Sequence, residues 1–594
     1  MFNIRDESTK QSRRPGTPGC SIRFVFALAL GLAATARGAG PADPLFRLVP
    51  PDASLTLAVE DLRGHARDFL ESPLSDGLRQ LPAVRAWFAS DRFQGFQRAR
   101  REIEKSLGVD IAKVRDDLIG EAVVLTVWLP PGGRQDEARG LLLTRVRDRG
   151  LLDRLVRSMN ASQQENGELA GVTERKRGAA RYFVRRFRDP LSRPNEYYAT
   201  LDDQTFAWSN SEDLVLGAID RQAGDRPGLG TDPRFQRVRS RLPERAAASL
   251  FLNPSLLVAM AAAAPKPPKP ADERLNALFA RALNALEFAG AAIEWRDGLI
   301  LHAEAALNPK RLGPWARDLA ALPAGNPLAR SLPPKALAVA TARLDFGSIL
   351  DLARALTPEA DRPRLDNLRL VLKGLLLGED PASLLTDPHL GSGVLIAIEA
   401  PGAAGSRPGF PVTAVVNLGD SKVVAPLDNA LRTILALRAL DTKQGPPLHV
   451  ETREIQGRKV TALDASSPFA YAIDAGRLVL GTSSEGVANA FSTPAPAPDS
   501  GFARLQARYF PKSESFACVD LELGHRVADA QRAELARQSA VKKHVPEADA
   551  ARDLDQALAL LKLFQAAYFT SDLAPDATSV HQTLGLIVRP ASGN

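Results

Sequence analysis

The residues best able to do chemistry are few and widely spread. Gly481-Thr482-Ser483-Ser484-Glu485-Gly486 follows a strand-like run and precedes a helical one, a setting in which a serine can be held as a nucleophile. It lacks the G-x-S-x-G spacing that strains such a turn and exposes the hydroxyl. The similar stretch Ser209-Asn210-Ser211-Glu212-Asp213 suggests a simpler job. Thr482 with Glu485, and Asn210 with Asp213, fit capping boxes that satisfy free N–H groups at a helix start. The seven histidines, at 65, 302, 389, 449, 525, 544 and 581, show neither H-x-x-x-H nor H-E-x-x-H spacing, which would put two imidazoles on one helical face. His544-Val545-Pro546-Glu547 holds two ligand types, but Pro546 breaks the helix that would aim them together. Phosphate-cradling glycine loops and alternating-carboxylate calcium loops are absent from the sequence. The expectation is a chain with no cofactor, no metal site and no catalytic motif.

Two other features invite a role. Cys518 lies in an alternating run with Ser249 as its counterpart, which fits a buried and inert thiol. Seven cations cluster at Arg175, Lys176, Arg177, Arg181, Arg185, Arg186 and Arg188, interleaved with Tyr182, Phe183 and Phe187. Such a cluster can be a contact patch for an acidic polymer, a lipid headgroup or an acidic envelope protein. It also fits a solvated strand face whose long side chains cover apolar surface, and Glu174 and Asp189 flank it.

The elements that would position these groups follow from composition and periodicity. The chain has 594 residues, 76 basic and 69 acidic side chains, and a formal charge of +7. Residues 1–36 hold five of the basic groups and two of the acidic ones, leaving 71 against 67. So small an excess gives no reason to expect nucleic acid. Those first residues have a basic stretch to Arg23, an apolar run Phe24–Ala34 and a small-x-small Ala34-Thr35-Ala36. This is the layout of a secretory signal peptide, and its apolar run is about half the ~20 residues of a spanning helix. The expectation is export to the periplasm or cell exterior, with no transmembrane segment after cleavage. Cys518 then has no disulfide partner, so the cores must hold without staples.

Self-similarity is the strongest pattern. Pro50-Pro51 and Pro333-Pro334 each open onto a short strand and then a helix, Leu62–Leu70 and Ile349–Leu356. Gly120 to Pro130 and Gly391 to Pro401 span the same ten positions around apolar strands. Strands Leu141–Arg147 and Val412–Leu418 follow, each running to a helix through an aspartate, Asp148 or Asp420. Hairpins with turn signals come next, Tyr197–Trp208 and Phe469–Leu480. Phe235-x-Arg-Val and Phe502-x-Arg-Leu then lead to strands Ala248–Leu252 and Phe516–Leu521. Helices Glu273–Leu286 and Leu554–Leu563 run into terminal hairpins, Phe288–Ala306 and Phe564–Val588. The same order at offsets of 267 to 283 residues reads as a duplication. The organisation expected is a signal peptide 1–36, a flexible segment 37–44, and two copies of one module at 45–325 and 326–590. Alternating strands joined by hairpins and helices make each copy α+β with mainly antiparallel sheets. The spacing also predicts one helix over Ala83–Leu107 whose face Val84, Trp87, Phe88, Phe93, Phe96, Ile103 and Leu107 packs on a sheet, or else fills a partner groove. Pro-rich loops fall at Pro265–Pro270 and Thr493–Pro498.

The Pro50-Pro51-Asp52-Ala53-Ser54-Leu55 start, the Leu118-Ile119-Gly120 strand start and the hairpin before Ser211-Glu212-Asp213 resemble an uncharacterised family of exported bacterial proteins, known as a domain of unknown function. The resemblance implies export and a duplicated α+β build, and it brings no active-site residues. Three function classes stay open: a non-catalytic binding or structural protein of the envelope or exterior, a carrier of an apolar ligand, and a hydrolase with paired carboxylates. The carrier would need a cavity lined by residues such as Trp128, Phe206 and Trp208. Non-catalytic binding fits best, since no motif points to a reaction.

Overall fold

The computed structural model describes residues 40–590 except 130–136, 190–192, 264–276, 278–279, 314–319, 321, 323–325, 331–335, 358, 388–389, 391, 402–409, 420–421, 441–449, 464–468 and 493–500. The signal peptide, Cys20, Asp420, His389, His449, the boundary at Gly325 and both Pro-rich loops therefore lie outside the described residues.

The fold is α+β, with every strand pairing antiparallel. The first half holds β1 (Leu55–Glu60), β2 (Ala122–Trp128), β3 (Arg139–Arg145), β4 (Leu169–Arg177), β5 (Ala180–Phe187), β6 (Glu196–Thr200), β7 (Thr205–Ser209), β8 (Ala248–Leu252), β9 (Leu286–Trp295) and β10 (Gly298–Leu307). The second holds β11 (Ala336–Arg343), β12 (Gly393–Glu399), β13 (Val412–Asn417), β14 (Val450–Ile455), β15 (Arg458–Leu463), β16 (Ala470–Asp474), β17 (Arg477–Gly481), β18 (Phe516–Asp520), β19 (Phe564–Leu573) and β20 (Ser579–Val588).

Within the first half the strands lie side by side in the order β4-β5-β6-β7-β3-β2-β1-β8-β9-β10. The second half pairs as β14-β15-β16-β17-β13-β12-β11-β18-β19-β20, the same order strand for strand. Strands β10 and β20 then pair over nine residues, from Gly298↔Ile587 to Ala306↔Ser579, so one 20-stranded sheet runs through both halves. Gly298 makes that seam possible, because a Cβ there would stand 2.2 Å from the Leu586 carbonyl oxygen.

One face of the sheet carries the main cores. In the first half Phe46, Phe235, Phe251 and Phe288 interlock beneath the helix Pro233–Arg239, with neighbouring rings 4.7 to 6.0 Å apart. In the second Phe502, Phe510, Phe516 and Tyr568 fill the matching place. Buried Glu60 pins the N-terminal segment through Arg239, 3.1 Å away, and the Ala42 N–H. Burial pushes the Glu60 carboxyl up, and Arg239 pulls against that.

Local signals were read with small shifts. Asp148 caps the helix Arg149–Glu165 by accepting from the Leu151 N–H at 2.8 Å. The cap expected at Thr482 moves on by one residue, whereas in the first half Ser211 stands at the helix start without a side-chain cap. Ser483 is the hydroxyl that accepts from the Gly486 N–H, at 3.0 Å. Thr482 Oγ1 and Asn210 Oδ1 instead accept the N–H groups of Val412 and Gly140, at the starts of β13 and β3. Both clip one strand to the end of its neighbour. The single helix expected over Ala83–Leu107 is two, Pro82–Ala89 and Asp91–Leu107, because extended Ser90 stops the first and caps the second through the Phe93 N–H.

Candidate functional site

Side chains alternate across a strand, so each cross-strand row belongs to one face. The face opposite the main cores would ordinarily be polar where it meets water. Here it is apolar. One row crosses eleven strands: Val123, Val59, Ala248, Ile293, Leu301, Leu584, Phe569, Ala517, Ala340, Ile396 and Ala414. At about 4.8 Å per strand it is roughly 48 Å wide. A parallel row runs Trp295, Leu299, Leu586, Ala567, Val519, Ala338, Ile398 and Val412. On the other side lie Leu142, Leu125, Leu57, Leu250, Ala291 and Ala303, and that row turns polar only at Gln582 and Ser571.

This face is open near its middle. Leu301, Leu584 and Phe569 are 38%, 51% and 40% exposed, and Leu250, Leu299 and Ile396 are exposed with them. Toward its ends helices close it. The helix Arg149–Glu165 packs on Phe206 and Trp208 in the first half, and Val424–Leu440 packs above Tyr471 and Leu478 in the second. The open part is thus a broad trough between two helical walls. Its floor mixes large and small side chains, and at the seam it deepens into a recess of about 360 Å³ lined mainly by Leu250, Leu252, Ala291, Ala303 and Val580, with Glu304 and Gln582 beside them.

The residues first proposed for an apolar cavity do not line it. Trp128 is buried on the core face with its indole N–H 3.3 Å from Asp52, and Phe206 is buried beneath helices. Trp208 stacks on Tyr198 at 5.4 Å. These rings are filled core.

The seven-cation cluster becomes the β4–β5 hairpin. Arg175 meets Glu212 at 2.7 Å, Arg177 forks onto Asp220 at 3.0 and 3.1 Å, and Arg181 meets Glu174 at 3.4 Å. The Arg177 hydrogen bond holds the Asp220 carboxyl below its usual range. Arg185 points inward and is fully buried, bonded to Asn160, Gln163 and Glu196 with its guanidinium over the Trp208 ring. Burial lowers its pKa, and Glu196 opposes that. Lys176, Arg186 and Arg188 are exposed.

Cys518 and His65 are sheltered, and His544 is exposed. Cys518 is buried in the second core, and burial, with Asp520 adding to it, pushes its thiol up to about 12. His65 is buried and its pKa falls to about 4, chiefly from burial. His544 ends one helix in a left-handed turn, and Pro546 stands at the start of the next.

A polar cluster at the seam was not legible beforehand. On the core face His581 Nδ1 meets buried Glu304 at 3.0 Å, His581 Nε2 meets Thr583 at 3.2 Å, and His302 meets Glu294 at 3.2 Å. The two imidazoles lie 5.9 Å apart. The only signal was the polar alternation of His302 with Glu304 and His581 with Thr583 in otherwise apolar strands. Among the described residues no group of three or more histidine, cysteine or acidic side chains could hold a metal ion, and no helix is long and apolar enough to cross a membrane. Comparison with protein-family models, curated proteins and solved structures finds no match.

Proposed function

We propose that this is an exported, non-catalytic protein that binds extended apolar ligands, lipid acyl chains, on the open face of its sheet. The observation that carries this is the set of unbroken apolar rows across both halves, on a face without a covering helix layer at its centre. Monomeric proteins rarely expose an apolar patch beyond a few hundred Å², and larger ones mark binding surfaces. The small residues Ala291, Ala303, Ala340, Ala517 and Ala567 stand among Leu, Ile and Phe side chains in these rows. That surface suits flexible chains lying along the strands.

Two supporting ideas belong to the same proposal. We read the matching strand order as two copies of one module, fused edge to edge so that two half-width faces become one. We also read the basic-apolar-small start as an export signal, which puts the protein where envelope lipids are.

Native mass spectrometry of the mature chain, purified from its own host's envelope fraction, tests the reading. An adduct of lipid mass, lost on organic extraction, is the expected result. A clean polypeptide mass would sink it. A doubled mass without adduct would mean that two copies cover each other's open faces.

A further inference from the structure

A second apolar surface rises beside the first. Where the sequence predicted a helix packed on a sheet, no residue from Pro82 to Lys105 is buried. Trp87, Phe88 and Phe96 are 52%, 44% and 62% exposed. Trp87 and Phe88 gather on Phe93 at 4.8 and 4.9 Å, forming a solvent-facing aromatic knuckle. The same stretch holds six cations against three carboxylates, and Arg85, Arg92, Arg98, Arg101 and Lys105 are all exposed.

The arm stands on the side of the apolar rows. Phe69, in the helix Leu62–Leu70 at its base, packs edge-on against Trp295 with centroids 5.9 Å apart. Trp295 pairs with Leu299 on the open face. The second half carries an arm at the same place, between its first and second strands. There the helix Arg362–Leu375 exposes Leu368, Leu370 and Val371, but its Arg362, Arg364 and Arg369 pair with Glu359, Asp361 and Asp380, so it shares the apolar surface and lacks the cation excess.

We propose that the Pro82–Lys105 arm seats the protein on an anionic lipid bilayer. The rings of Trp87, Phe88 and Phe96 enter the headgroup boundary, and the surrounding cations meet lipid phosphates. Charge selects this occupant over a second copy, because two copies of the Pro82–Lys105 stretch, each with more cations than carboxylates, repel while an anionic surface attracts them. The contact stands on the exposed arm itself. Only its purpose, bringing the trough to the source of its ligand, rests on the lipid-binding reading above.

The test is sedimentation of the full mature chain with vesicles of phosphatidylethanolamine, with and without phosphatidylglycerol. Binding should require the anionic lipid and weaken as salt rises. It should fall about tenfold or more in Trp87→Ser/Phe88→Ser/Phe96→Ser, and likewise in Arg92→Gln/Arg98→Gln/Arg101→Gln. None of these residues is buried, so both variants should keep the native circular dichroism spectrum and any lipid adduct. Failure of the wild type to bind, or equal binding by the variants, overturns the proposal. So does a dimer that falls apart when the rings are removed while vesicle binding stays. A wild type that carries lipid but ignores vesicles overturns docking alone, whereas vesicle binding without an adduct overturns lipid carriage and supports docking.

Discussion

The two faces of the central sheet both carry apolar side chains and have opposite fates. On one face Ala58, Val124, Phe251 and Ala292 disappear beneath the N-terminal segment and the helix Pro233–Arg239. On the other Leu57, Val123, Leu250 and Ala291 sit one residue away along the same strands, with no such layer above Leu250. The hydrophobic effect drives both sets from water equally, so only the first is satisfied by folding. The difference teaches that this sequence encodes more apolar surface than its own helices cover.

The sharpest way to break the comparison uses two adjacent residues in β18. Cys518 faces the core and Ala517 faces the trough. In a Cys518→Ala background, Ala517→Cys should react with maleimide as an ordinary thiol does. Native Cys518, with its thiol pushed up to about 12, should react more than about a thousandfold more slowly at neutral pH. Similar rates would mean the faces are equally covered.

Stability is the next measure. Phe251→Ala should cost about 3–5 kcal/mol in urea unfolding, since that ring packs on Phe46 and Phe235. Leu301→Ala in the trough should cost under about 1 kcal/mol once ligand is removed. Equal losses would mean that the trough is closed by the protein itself.

The smallest expected effect is in pH. His65 is buried, and its folded pKa of about 4 lies below the ordinary value, so folding favours the neutral ring. Its contribution is complete above about pH 6.5 and drains away as pH falls toward 4. Roughly 1–3 kcal/mol should be lost over that window. His65→Leu should flatten this limb, and a trough variant such as Leu301→Ala should leave it unchanged.

Much of the fold was readable because its signals are local. The hairpins Tyr197–Trp208, Phe469–Leu480 and Phe564–Val588 lie where Asp-rich and Gly-bearing turns put them, with Ala475 and Gly476 in left-handed conformation at one of them. The trough was not readable. An apolar run such as Ala122–Trp128 does not state which of its faces another layer will cover. The partners that occupy the arginine cluster, Asn160, Glu196, Glu212 and Asp220, come from a distant helix, a neighbouring strand and a third element. Their convergence is a property of the folded chain alone. The aromatic periodicity of 83–107 marks an apolar stripe without saying whether a sheet or a partner covers it, and the structure leaves it facing outward.

The β10–β20 seam also decides where the sheet can grow. Ten paired strands standing alone would end in one long edge, Gly298–Leu307 or Ser579–Val588, ready to template another chain. Each of these edges consumes the other. What remains at the two outer margins is β4, with Glu174, Arg175, Lys176 and Arg177, and β14, with Glu451, Arg453 and Glu454. Charges of that density discourage strand addition at both margins of the described sheet.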